Sequence, residues 1–105
     1  MVYTREEIEG ILKKSLGKTP VRRVILFGSY AKGEATGKSD IDLVVDSGGK
    51  LRGLAFFGLL ETIAEAFDAP VDVMELSQIE KGSRVEKEIL RTGVIVYESE
   101  DGTGA

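Results

Sequence analysis

Apolar residues at Ile8, Ile11, Leu12 and Leu16 recur at helical spacing behind Thr4 and Glu7, a pair with the spacing of a capping box, and stop at Gly17. The pattern predicts an amphipathic helix over residues 5–16. Pro20 precedes a β-branched, apolar run, VRRVILF at 21–27, that ends at Gly28 and reads as a first strand. A short helical turn is expected in SYAKG, and DIDLVVD at 40–46 is the second strand. Apolar positions 51, 54, 55, 59, 63 and 67 predict a helix from Leu51 to Phe67 despite Gly53 and Gly58. PVDVMEL at 70–76 is the third strand. Ser77 or Ser83 then caps a helix running to Arg91, Gly93 stops it, and VIVYE forms a fourth strand. The expected domain is 1–98, with a frayed polar tail at 99–105. No repeat, linker or low-complexity block interrupts it.

The order of these elements fixes a geometry. Only ten residues separate Ser29 from Asp40, too few for a parallel crossover, so the first two strands should be antiparallel neighbours. The second and third strands are joined through a long helix, which fits a parallel crossover and sets their starting ends side by side. Asp72 is thereby expected beside Asp40 and Asp42. Within a strand, positions two apart share a face, so Asp40 and Asp42 are two like charges that call for a cation. Glu75 points to the opposite face, and Asp46, at the far end of the second strand, reads as a turn residue. Phe27 and Tyr30 read as core packing rather than a base-stacking platform.

Composition restricts the chemistry. A chain of 105 residues suits one domain that buries about 65% of its unfolded surface. It has 42% hydrophobic and 30% charged residues and no apolar run of the roughly 18 residues a membrane span needs. The start MVYTREEIEG lacks a signal pattern, so the cytoplasm is the expected location and no membrane partner is expected. There is no cysteine and no histidine, so any metal must be held by oxygen, which favours hard ions such as magnesium, manganese or calcium. A net charge of −4 argues against nucleic acid as the main partner. Gly28 and Ser29, where a short helical turn begins, offer backbone N–H groups and a hydroxyl to an anion. Three carboxylates beside an anion cradle suggest metal-bound phosphate. GEATGKS, by contrast, only imitates a phosphate-binding loop: Gly33 to Gly37 is one residue short, and a strand follows where a helix is needed.

Gly28-Ser29, ten residues, and then Asp40-Ile41-Asp42 match the G-S-x10-D-x-D signature of the DNA polymerase beta-like nucleotidyltransferase superfamily. Together with the short length and the VDVMEL strand, the chain from Val21 to Tyr97 resembles the minimal nucleotidyltransferase branch, often encoded beside a HEPN-family partner. The resemblance implies an α/β (α+β) fold, a mixed four-stranded sheet flanked by helices, and transfer of AMP from ATP with two magnesium ions. It implies Asp40, Asp42 and Asp72 as catalytic residues and metal ligands, and Gly28, Ser29, Lys32 and Ser39 as nucleotide contacts. The acceptor is expected to be a hydroxyl of a HEPN-type toxin, which makes the chain an antitoxin and a member of a complex. Two other functions fit the same sequence: a binding module that neutralises the toxin by occlusion, or a small-molecule nucleotidyltransferase, for which so short a chain offers little acceptor pocket.

Overall fold

A computed structural model of the chain describes residues 2–99. Helix α1 (Arg5–Leu16) starts where Thr4 Oγ1 accepts the Glu7 N–H at 3.0 Å while Glu7 Oε1 accepts the Thr4 N–H at 2.8 Å. This reciprocal box satisfies two donors that a helix start leaves unpaired. Ile8, Leu12 and Leu16 lie on one face and are buried. The chain then runs through β1 (Arg23–Phe27), the single turn α2 (Ser29–Lys32), β2 (Ile41–Asp46), α3 (Leu54–Ala66), β3 (Val71–Glu75), a 3-10 turn at Leu76–Gln78, α4 (Arg84–Thr92) and β4 (Val94–Glu98).

The sheet order is β3-β2-β1-β4, with β1 antiparallel to both β2 and β4, and β2 parallel to β3. Alternation along the strands divides the side chains between two faces. Val24, Leu26, Leu43, Val45 and Val73 pack with Ile8, Leu12 and Leu16 of α1 and with Leu59 and Ile63 of α3, forming the core. The opposite face carries Ile25, Phe27, Asp42, Val44 and Asp72, and α4 lies against β1 there. At the junction of α4 and β4 the fit is tight: a Cβ on Gly93 would stand 2.9 Å from Ile25 Cγ2. Tyr3 packs edge-on against Phe67 with ring centroids 5.3 Å apart, and its hydroxyl accepts the Asp68 N–H at 2.8 Å. Among the described residues no helix is long and apolar enough to cross a membrane.

Several element ends differ from the sequence reading, each for a local reason. Helix α3 begins at Leu54 rather than Leu51, because Gly53 has φ +55° and Leu51 turns its N–H to Ser47 Oγ at 3.1 Å. β2 begins at Ile41, so Asp40 stands at its mouth and not within it. β1 begins at Arg23, and β3 runs from Val71 because Pro70 has no N–H for a ladder. Ser83 caps α4 by accepting the Glu86 N–H at 3.2 Å, whereas Ser77 caps nothing and donates its own N–H to Glu75 Oε1 at 2.8 Å. The expected tail at 99–105 lies, beyond Ser99, outside the described residues.

Glu75 was expected merely to face away from the site. It is in fact a buried charge at 4% exposure that joins three segments. Both the N–H and the hydroxyl of Ser47 donate to Oε2, the N–H at 3.0 Å, and Ser77 donates to Oε1. Burial pushes this carboxyl up, but the donors from Ser47 and Ser77 together outweigh it and hold Glu75 below its ordinary 4.5. A depressed carboxyl contributes stability above its unfolded value, and that contribution is lost as pH falls through the lower folded value. Glu75→Gln should therefore lower the unfolding free energy at neutral pH by about 1.5 to 3 kcal/mol, the size of a charge-assisted hydrogen bond. Urea unfolding at a series of pH values should show parent and variant converging below the ordinary carboxylate range. A gap that stays constant down to the acid limit would mean that the charge is not what Glu75 contributes.

Candidate active site

Pairing register assembles the site. Phe27 is opposite Asp42 in the antiparallel pair, and Asp42 is opposite Asp72 in the parallel pair, so three distant segments meet at one end of the sheet. Asp72 is exposed, Asp42 half-buried, and Asp40 exposed just ahead of β2. Of the three carboxylates expected together, the register sets Asp42 beside Asp72 and leaves Asp40 one residue ahead of β2. Among the described residues, however, no group of three or more acidic side chains is arranged so that it could hold a metal ion. An ion placed there would need phosphate oxygens and water to complete its shell.

Gly28 sets the approach. Its φ is +76°, and a Cβ there would lie 2.5 Å from Asp42 Oδ2. No other residue satisfies both conditions, because any side chain would be strained and would strike the carboxylate. Immediately after it, Ser29 opens α2, whose single turn ends on Gly33 at φ +73°. The Gly28 N–H, expected to be available to an anion, is already taken: it donates to Thr92 Oγ1 at 3.1 Å. Of the Gly28-Ser29 pair, that leaves the N–H and hydroxyl of Ser29 as donors for an anion.

Electrostatically, Asp42 feels three other carboxylates, those of Asp72, Asp40 and Glu88. Burial is the first cause that pushes the Asp42 carboxyl above its ordinary value, followed by the negative charges of Asp72, Asp40 and Glu88. An aspartate raised in this way costs the folded chain stability as pH rises through the ordinary value, and the cost is complete above the raised one, where the charged form is held where it is disfavoured. A divalent cation would reverse that cost. The donor set is oxygen alone, which matches a hard ion such as magnesium.

The two remaining sequence candidates are engaged elsewhere. Lys32 is exposed and pairs with Glu34 at 3.6 Å. Ser39 closes its own loop, its Oγ accepting the Thr36 N–H at 2.8 Å. Asp46 is the expected turn residue, accepting the Gly48 N–H at 3.0 Å and pairing with Arg22 at 3.1 Å. Phe27 is buried, and Tyr30 packs against the core. Sequence reasoning missed Glu88 and Thr92, which α4 carries to the site from 46 or more residues beyond Asp42. The amphipathic pattern of α4 signals that one side of the helix docks, but carries no sign that the acidic face of the sheet receives it.

Known proteins resemble this chain in sequence and in fold. The profile of the polymerase beta nucleotidyltransferase family matches residues 6–102. The protein adenylyltransferase MntA of Thermococcus cleftensis is 38% identical over 99 residues, covering 90% of this chain and 98% of that one. Two solved structures share the fold. One, a toxin-antitoxin with AMP-PNP, has a TM-score of 0.70 at 24% identity and covers 96% of this chain and 79% of its own. The other is a tri-AMPylated Shewanella oneidensis HEPN toxin in complex with MNT antitoxin, with a TM-score of 0.61 at 21% identity over 95% of this chain and 74% of that one. From the Gly28-Ser29 turn to the carboxylates of β2 and β3, this chain belongs to the polymerase beta nucleotidyltransferase family.

Proposed function

We propose that the chain transfers AMP from ATP to a hydroxyl group of a HEPN-type toxin and so acts as its antitoxin. The observation that carries this reading is the register of Asp42 against Asp72 with Gly28 pressed on Asp42, an acidic pair beside a turn that still has donors to offer. The MntA relative is an adenylyltransferase, and the solved neighbours are toxin-antitoxin assemblies, one with an ATP analogue and one with an AMPylated toxin. That combination favours a covalent mark over simple occlusion.

Ser29 donates from its N–H and hydroxyl to the triphosphate. Gly28, lacking a side chain, lets the nucleotide approach the carboxylates. Asp40 and Asp42 would hold magnesium, with Asp72 as a further ligand and two ions as the expected number. Magnesium bound there would neutralise the triphosphate and stabilise the attacking and leaving oxygens. Asp72, at the exposed edge, takes the proton of the acceptor hydroxyl as its oxygen bonds the α-phosphorus. The bond from that phosphorus to the bridging oxygen breaks, and pyrophosphate leaves. With no histidine in the chain, a carboxylate is the available base, and transfer depends mainly on positioning and charge neutralisation. Lys32 can join the phosphate by leaving Glu34, since an exposed pair is worth only about 0 to 1 kcal/mol. Ser39 contributes indirectly, by shaping the loop ahead of Asp40.

The test of the activity is turnover. Substoichiometric protein with ATP and magnesium should inactivate the cognate HEPN protein and add one or more AMP units to its mass. Asp40→Asn and Asp42→Asn should each abolish the mass gain while folding normally, and Asp42→Asn should melt higher than the parent without divalent ions. Magnesium should then raise the parent's melting temperature but not that of Asp42→Asn. Asp72→Asn should keep Mg-ATP binding in calorimetry and lose transfer. Neutralisation by the Asp40→Asn, Asp42→Asn double variant, with no change in toxin mass, would replace the enzyme by a binding module.

Gly28 and Gly33 separate strain from crowding. Both have positive φ, yet nothing lies within 4 Å of a Cβ on Gly33. Gly33→Ala should lose about 1 kcal/mol of stability and keep nucleotide affinity, because only backbone conformation is penalised. Gly28→Ala should lose at least as much stability and also Mg-ATP binding, read by calorimetry. Equal nucleotide affinity in the two variants would show that the Gly28 approach to Asp42 has no part in binding.

A further inference from the structure

The hydroxyl of Thr92 donates to the Glu88 carbonyl oxygen, one turn back in α4, at 2.8 Å. A hydroxyl carries one hydrogen, so with that hydrogen committed only lone pairs remain to face the sheet. There the Gly28 N–H meets Thr92 Oγ1 at 3.1 Å, from 64 residues away in sequence. On its other side the Gly28 carbonyl accepts the Lys32 N–H at 3.1 Å. Gly28 is thus held at both peptides, one by its own turn and one by a helix.

A glycine at positive φ needs such a hold, because its backbone rotates at less cost than that of any other residue. The anchor itself is rigidly placed. A Cβ on Gly93, the next residue, would stand 2.4 Å from the Ile89 carbonyl oxygen and 2.9 Å from Ile25 Cγ2, so the helix end is pressed onto β1. We propose that Thr92 is a positioning residue for nucleotide transfer: its hydroxyl fixes the Gly28 peptide, and with it the contact of Gly28 on Asp42 and the aim of the Ser29 donors. This inference rests on the nucleotidyltransferase reading above. It assigns α4 a role in the reaction although the helix bears no residue of the signature.

Three variants test it. Thr92→Val keeps the shape and removes the hydroxyl, and Thr92→Ser keeps the hydroxyl. Ser83→Ala weakens the same helix at its other end by removing the cap. Two measurements apply: kcat and KM for ATP in AMP transfer to the cognate HEPN protein, and amide exchange of Gly28 in the protein alone. Thr92→Val should raise KM and accelerate Gly28 exchange, each by about 3- to 10-fold, as for one lost neutral hydrogen bond. Thr92→Ser should stay near the parent in both. Ser83→Ala should lower the melting temperature and leave KM and Gly28 exchange unchanged. Parent-like KM and Gly28 protection in Thr92→Val would overturn the proposal. So would a Thr92→Ser variant as impaired as Thr92→Val, which would assign the effect to packing, or a Ser83→Ala variant that reproduces the losses, which would assign it to helix stability. If the parent transfers no AMP, the functional reading fails on its own. Gly28 exchange and calorimetric binding of Mg-AMP-PNP then decide the anchor, and unchanged values in Thr92→Val refute it.

Discussion

The register of β2 is the constraint on which the site depends. β2 pairs with both β1 and β3, and in one alignment it sets Asp42 opposite Phe27 on one side and Asp72 on the other. Burial enforces that alignment. Leu43 and Val45 are fully buried on the helix-covered face, and a shift of one residue would exchange them with Asp42 and Val44. The same alternation that buries the core therefore holds the carboxylates on the opposite face. The hydrophobic effect positions the charges without touching them.

Two carboxylates respond to burial in opposite ways. Glu75, within the core face, is surrounded by donors from Ser47 and Ser77 and is held below its ordinary pKa; it closes the fold. Asp42 is pushed up by burial and by Asp72, Asp40 and Glu88, with no donor among those causes to offset them. The distinction lies in the donors around each group and not in the residue type. Helix α4 contributes to both aspects of the site, adding a negative charge through Glu88 and a fixed hydrogen-bond acceptor through Thr92.

Much of this was legible in the sequence because it is local or periodic. The ten residues between Ser29 and Asp40 forced an antiparallel pair, and the α3 crossover forced Asp72 toward Asp42. Alternation also placed Glu75 on the face away from Asp72. What could not be read were polar contacts between distant segments. The bond from Ser47 to Glu75 spans 28 residues and the bond from Gly28 to Thr92 spans 64, and neither leaves a periodic trace. Gly28 shows the boundary well. Its place in the motif was evident, but that its N–H is spent on α4, and that its missing side chain is required by Asp42, are facts of three-dimensional packing. Lys32 and Ser39 are residue types that suit phosphate, and their local partners Glu34 and Thr36 are equally beyond what periodicity reveals.

In the proposed function, the Gly28 turn and the carboxylates of β2 and β3 together form one metal-nucleotide site. Manganese titrated into the protein with AMP-PNP, followed by paramagnetic broadening of assigned backbone amides, tests it directly. Broadening should centre on Gly28, Ser29, Asp40 to Asp42 and Asp72, and should be abolished in Asp42→Asn. Broadening centred on the opposite end of the sheet, around Asp46 and Glu98, or unchanged by Asp42→Asn, would contradict it.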